Sequence, residues 1–153
     1  LRAHRNFRLG DNLQRPLVLI GNGTGLAGLR SHLRARAAAG LGPNWLLFGE
    51  RNAAHDRLYG DELQAWCEGG VLQRLDLAFS RDRSEGAPRA YVQDLLAQSG
   101  DVLRQWVAQG AAIYVCGSLQ GMAQGVDQAL HAVLGEAQMD QLVRSGRYRR
   151  DVY

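Results

Sequence analysis

Three glycines in alternation, Gly21, Gly23 and Gly25, follow the apolar run Leu17–Ile20 and lead into Leu26-Ala27-Gly28-Leu29. At a strand-to-helix junction, such a turn offers backbone N–H groups and a helix N-terminus to a phosphate. The spacing departs from G-x-G-x-x-G, because Leu26 stands where the third glycine would fall and Gly28 comes two residues late. By itself the stretch reads equally as a phosphate turn or a tight corner. Other reactive or phosphate-binding residue types end other apolar runs: Glu50-Arg51, Ser80-Arg81-Asp82-Arg83 and Cys116-Gly117-Ser118. A carboxylate such as Glu50, placed one strand beyond a glycine turn, can accept a ribose 2′-hydroxyl and select NAD. A serine hydroxyl beside an arginine fork, as at Ser80-Arg81 with Arg89 nearby, suits a 2′-phosphate. On these residues alone the two selectivities stay open.

The elements that would hold these residues alternate along the chain. Leu17–Gly21, Trp45–Gly49, Val71–Ser80 and Ala111–Ser118 read as strands, with the third alternating apolar and polar residues as a strand nearer an edge does. Helical patterns fill Gly25–Ala38, Asp56–Gly70, the stretch from Ala90 to Gly110, and Leu119–Gly135. A short helix, Glu136–Ser145, and a strand-like "RYRRDVY" close the chain. Alternation of short apolar strands with helices predicts an α/β fold, a doubly wound parallel five-stranded sheet flanked by helices. In such sheets ligands sit beyond the carboxyl ends of the strands, where the strand order reverses. All four candidate clusters fall at strand ends.

Composition narrows the function classes. The 153 residues, 46% hydrophobic and 22% charged, suit one domain able to bury its own core. All 18 cationic residues are arginine, scattered among acidic ones to a net charge of +3, which does not favour nucleic-acid binding. Cys67 and Cys116 lie far apart without a CxxC, which excludes a disulfide framework or zinc site and suits a reducing compartment. His4, His32, His55 and His131 share no metal-ligand spacing, so no metal is expected. Neither Ser80 nor Ser118 has a His and Asp in hydrolase order. No apolar run is long enough to cross a bilayer, and a cytoplasmic location is expected.

The ordered set "IGNGTGLAGLRSHL", "LLFGERNAAHDRLYGDEL", "LAFSRD", "AYVQDLL", "IYVCGS…MAQGVDQAL" and "GRYRRDVY" resembles the NADP-binding module of the ferredoxin-NADP reductase superfamily. Within it the similarity is to the diflavin branch that includes the sulfite reductase flavoprotein, and it covers most of the chain. The resemblance implies a Rossmann-like module that presents NADPH for hydride transfer to FAD held by a neighbouring domain. Electrons would then pass to a flavodoxin, haem or iron acceptor. Residues 1–15 would be the connection from that FAD-binding domain, and residues 16–153 the NADP(H)-binding domain.

The same resemblance assigns roles. Gly23, Thr24 and Gly25 would form the pyrophosphate turn, and Arg51 would lie along the adenine-side phosphates. Ser80, Arg81 and Arg89 would hold the 2′-phosphate, Tyr91 would stack on adenine or bond that phosphate, and Gln93 would assist. Cys116 would sit by the nicotinamide, Asp151 would help position it, and Tyr153 would be the aromatic that shields the flavin. This chain departs from the pattern at Asn22 and Gly28, where prolines are common, and at Ser118, where an acidic residue is frequent. Read without the resemblance, Cys116 is a small buried strand residue, Tyr91 a packing residue, and Arg147, Arg149 and Arg150 a solvated face. The alternative function is a regulatory module that binds nicotinamide nucleotides without redox chemistry.

Overall fold

The computed structural model describes residues 9–23, 26–50, 57–79, 91–117 and 122–152; for Glu50, Phe79 and residues 57–60 it describes the backbone only. Five strands, β1 (Leu17–Asn22), β2 (Asn44–Glu50), β3 (Arg74–Phe79), β4 (Ala112–Gly117) and β5 (Tyr148–Val152), form one sheet in the order β3-β2-β1-β4-β5. Every pairing is parallel. The helices are α1 (Leu26–Ala39), α2 (Arg57–Glu68), α3 (Val92–Gln98), α4 (Gly100–Ala108), α5 (Gln124–Leu134) and α6 (Glu136–Arg144).

A parallel strand covered on both faces must be apolar throughout, and β1 and β4 are buried along nearly their whole length. Alternate residues feed two separate cores. Leu17, Leu19, Leu46, Phe48 and Tyr114 pack beneath α1 and α2 with Leu29, Leu33 and Leu63. Val18, Ile20, Trp45, Leu47 and Ile113 face α3 to α6 with Leu96, Leu103, Val126 and Leu130. Strand β3, with its mixed pattern, lies at one edge of the sheet as expected, and the polar β5 lies at the other.

Two elements differ from the sequence expectation. The long helix predicted from Ala90 to Gly110 is two helices, α3 and α4, divided at Ser99, whose φ of −105° and ψ of 22° leave the helical region. The next residue, Gly100, opens α4 against α5, where a methyl group added to it would sit in ordinary contact with Val133 at 3.5 Å. Strand β3 begins at Arg74 rather than Val71, because the N–H groups of Val71 and Leu72 turn back to the Trp66 carbonyl at 2.8 and 3.1 Å.

The amino edge of the sheet is closed by polar contacts. Arg36, fully buried, donates through Nε to Asn44 Oδ1 at 2.7 Å, through one terminal nitrogen to Pro43 O at 3.1 Å, and through the other to Leu13 O. Burial pulls its pKa down. Asn44 donates in turn to Leu41 O and Val71 O, and its N–H meets Gln73 Oε1 at 2.6 Å. The segment ahead of β1 is fixed there by buried Asn12, which donates to Tyr114 Oη at 3.0 Å and Gly146 O at 2.8 Å. Two of the three arginines expected on a solvated face are bonded into this edge instead. Arg147 donates to Ala111 O and Val107 O at 3.1 and 2.9 Å, and Arg149 to Gly146 O at 2.9 Å. They tie the turns after α4 and α6 to the start of β4 and β5.

Candidate functional site

The parallel register brings the carboxyl ends of all five strands to one edge. Phe48 of β2 pairs with Gly21 of β1, Gly21 with Cys116 of β4, and Cys116 with Asp151 of β5. These four residues therefore form one row across the sheet. Strand order reverses within it, since β1 leads outward to β2 and β3 while β4 and β5 follow on its other side. That reversal leaves the crevice in which doubly wound sheets bind ligands.

Each side of the crevice is shaped by glycine. A Cβ on Gly21 would lie 2.6 Å from both the Cys116 carbonyl oxygen and Leu29 Cδ1. Only glycine lets α1 approach the β1–β4 pair this closely, and that approach sets where the N-terminus of α1 points. Gly23 has φ of +53° with nothing within 4 Å of a would-be Cβ. It turns the chain out of β1 over open space, leaving its backbone accessible. In the next rank of the sheet Asn22 pairs with Gly49, and a side chain on Gly117 would overlap the Asn22 carboxamide oxygen.

The expected nicotinamide-side residues Cys116 and Asp151 are adjacent on neighbouring strands and share the face carrying α1. Cys116 is buried, with 4% of its surface exposed, so the packing role read from the sequence alone also holds in the structure. Asp151 is half-buried. Tyr91 is the N-cap of α3, 41% exposed and extended in backbone. Its N–H donates to Asp94 Oδ2 at 2.9 Å, and the Asp94 N–H returns to Tyr91 O at 2.9 Å. This reciprocal cap fixes the backbone that carries the ring. The next residue, Val92, packs against Gly49 at the carboxyl end of β2, which sets Tyr91 at the same edge as the crevice.

Gln93 is placed differently. Its carboxamide lies 3.0–3.1 Å from the position a Cβ on Gly125 would take, so it fills the α3–α5 contact. Glu50 ends β2 opposite Phe79, the residue before Ser80. Thr24, Gly25, Arg51, Ser80, Arg81, Arg89 and Tyr153 lie outside the described residues. Asn22, a departure from the family pattern, and Gly117, in the Cys116-Gly117-Ser118 cluster, carry no assigned role in the sequence; Asn22 is the one polar residue of β1.

A parallel doubly wound sheet with a glycine-opened crevice at its reversal point defines a nucleotide-binding module. The chain belongs to the oxidoreductase NAD-binding domain family, whose model matches residues 19–128. It is 43% identical to the sulfite reductase (NADPH) flavoprotein alpha-component of Salmonella typhimurium over 97% of this chain, 41% identical to that of Vibrio cholerae over 98%, and 45% identical to that of Shigella flexneri over 97%. In each case the match spans 26% of the relative's length. None of the described helices is long and apolar enough to cross a membrane.

Proposed function

We propose that this chain is the NADP(H)-binding domain of a flavin-dependent oxidoreductase and presents NADPH for hydride transfer to FAD held by a neighbouring domain of the same polypeptide. The observation that carries the reading is the row Gly21–Cys116–Asp151 at the reversal point, beside the open turn at Gly23. The residues present fit a dinucleotide: exposed backbone for a pyrophosphate, an exposed aromatic at the same edge for adenine, and a buried thiol beside a half-buried carboxylate at the far side.

The nicotinamide, when bound, supplies the hydride that reduces the flavin. The chain's own residues bind and orient. The turn at Gly23, Thr24 and Gly25 takes the pyrophosphate on backbone N–H groups. Arg51 follows the adenine-side phosphates, Ser80, Arg81 and Arg89 hold the 2′-phosphate, and Tyr91 stacks on adenine. Gln93, packed against Gly125 of α5, assists in holding the nucleotide. Cys116 and Asp151 would bound the nicotinamide pocket, and Tyr153 would shield the flavin. Residues 1–15 lead in from the FAD-binding domain, residues 16–153 form the NADP(H) domain, and electrons leave to a flavodoxin, haem or iron acceptor. A cytoplasmic setting suits this role, either free or as the cytoplasm-facing part of a membrane-bound reductase.

Titrating the domain with NADPH and NADH tests the proposal. NADPH should bind more tightly, and Arg81→Ala should weaken it at least tenfold, since a hydrogen bond to a charged group is worth about 1.5–3 kcal/mol. Equal binding, or tighter NADH, would overturn the 2′-phosphate assignment and move selectivity to Glu50 and the ribose hydroxyl.

A further inference from the structure

Strand β5 is an edge strand, paired among the described strands with β4 alone, and Tyr-Arg-Arg-Asp-Val gives it little apolar surface to hold it in place. Side chains alternate between the faces of a sheet. Arg149 and Asp151, the register partners of Tyr114 and Cys116, therefore share the α1 face, and Tyr148 and Arg150 turn to the face of α5 and α6. There both meet one carboxylate. Asp127 of α5 accepts from Tyr148 Oη at 2.9 Å through Oδ1, and the same oxygen lies 3.9 Å from a terminal nitrogen of Arg150. Its Oδ2 lies 3.6 Å from His131 Nε2, one turn along α5, and His131 Nδ1 stands 2.8 Å from Glu136 Oε1 at the start of α6. Burial first, and then the Asp127 charge, raise the pKa of the Tyr148 phenol, so it remains a donor throughout the neutral range. A hydrogen bond from a hydroxyl to a carboxylate is charge-assisted, whereas the half-exposed contact with Arg150 is weak.

We propose that Asp127 is a positioning residue for the nicotinamide side of the site: by holding Tyr148, and with it Arg150, it sets how β5 lies against β4 and hence where Asp151 stands beside Cys116. The inference rests on the NADP(H) reading above and requires no contact between Asp127 and the nucleotide. Asp151 follows Arg150 directly and faces the opposite way, so any roll of β5 about its axis moves it against the row.

The test has two readouts. One is the amide resonances of Cys116 and Asp151 in the nucleotide-free 153-residue chain; the other is the rate of FAD reduction by NADPH in the polypeptide that carries both domains. Asp127→Ala should shift the Asp151 resonance and slow reduction by roughly fivefold or more, because small misplacements at a reacting centre are costly. Its NADP+ affinity should stay within about twofold of the parent, since the phosphates and adenine are held elsewhere. Tyr148→Phe should slow reduction by about twofold or more, and the double variant should be no slower than Asp127→Ala, as residues acting through one bond require. It also decides the matter if Asp127→Ala fails to fold. Asp127→Asn keeps an acceptor for the phenol and should restore the parent rate. A mere brace would lower the Tm and leave the resonance and the rate unchanged. That result, additive losses in the double variant, or a loss of NADP+ affinity equal to the loss of rate overturns the proposal. A parent chain that fails to bind NADP+ overturns the NADP(H) reading itself, an outcome visible before any variant is made and separate from the resonance shift, which needs no nucleotide.

Discussion

At the amino edge of the sheet the helices return to strands through three to five residues (40–43, 69–73, 109–111 and 145–147). At the carboxyl edge the outgoing connections run from three residues to twelve (23–25, 51–56, 80–91 and 118–123). All four amino-edge turns have a glycine of positive φ, and the residue after it reaches back to a helix carbonyl: Leu41 to Arg36, Val71 to Trp66, Ala111 to Trp106 and Arg147 to Leu142, at 2.8–3.1 Å. This is the cap that satisfies the orphan carbonyls of a helix end. Buried polar groups at that edge, Arg36, Asn44 and Asn12, are bonded within the protein. The carboxyl edge instead has close-packed glycines at Gly21 and Gly117, an open turn at Gly23 and an exposed Tyr91. The contrast teaches that the amino edge spends its buried polar groups on its own carbonyls, which separates the work of holding the sheet together from the edge we propose for the dinucleotide.

The largest expected effect breaks the sealed edge. Arg36→Ala leaves Asn44 Oδ1 and the Leu13 carbonyl short of a donor, with Pro43 O keeping only the Leu17 N–H, and opens a void; it should lower stability by about 3–5 kcal/mol in urea denaturation. Among molecules still folded, NADPH affinity should stay unchanged; a parallel loss of affinity would show that the two edges are coupled. Gly21→Ala tests the other edge for tight packing. With two atoms 2.6 Å from the new methyl group, it should cost about 1–3 kcal/mol. It should also weaken nucleotide binding, because the Cys116 carbonyl and the start of α1 must move.

Tyr91→Ala sharpens the contrast from the ligand's side. An exposed ring contributes little to folding, so thermal unfolding should shift by less than the error that Arg36→Ala makes plain. Base–aromatic stacking is worth about 1–3 kcal/mol, so the variant should bind NADPH roughly tenfold more weakly by calorimetry. Unchanged affinity would return Tyr91 to a packing role. The smallest effect belongs to neither edge. Glu62 of α2 accepts from Arg30 Nε at 2.6 Å and from Arg34 of α1 at 3.0 Å, and the Arg30 hydrogen bond is the main cause of its lowered pKa. A depressed carboxyl pKa adds stability above the unfolded value, about 4.3, and that stability fades as pH falls through the folded value. Glu62→Gln should cost about 0.2–1 kcal/mol at pH 7, with the difference from the parent vanishing in acid.

Much of the fold and some of the site could be read from the residues. Continuous apolar runs at Leu17–Ile20 and Trp45–Phe48 required strands covered on both faces, hence a parallel sheet. Glycines after helical patterns marked the stops, as at Gly70. Chain order placed Gly21, Glu50 and Cys116 at strand ends, because alternation of strand and helix puts all carboxyl ends on one side.

Strand order was another matter. Nothing local to β1 or β4 says that they pair, and pairing of residues nearly a hundred positions apart depends on which faces the two helical layers can cover. That pairing sets Cys116 beside Gly21, and the pairing of β4 with β5 sets Asp151 beside Cys116. It also decided the fate of arginines that share one side-chain chemistry. Arg36 is sealed among carbonyls and Arg147 caps α4, while Arg144 faces solvent in a pair with Asp140 at 3.0 Å. Sequence specified the charge of each guanidinium and the breadth of its hydrogen-bonding fork; only the packed sheet determined which carbonyls lay within reach and how much water remained.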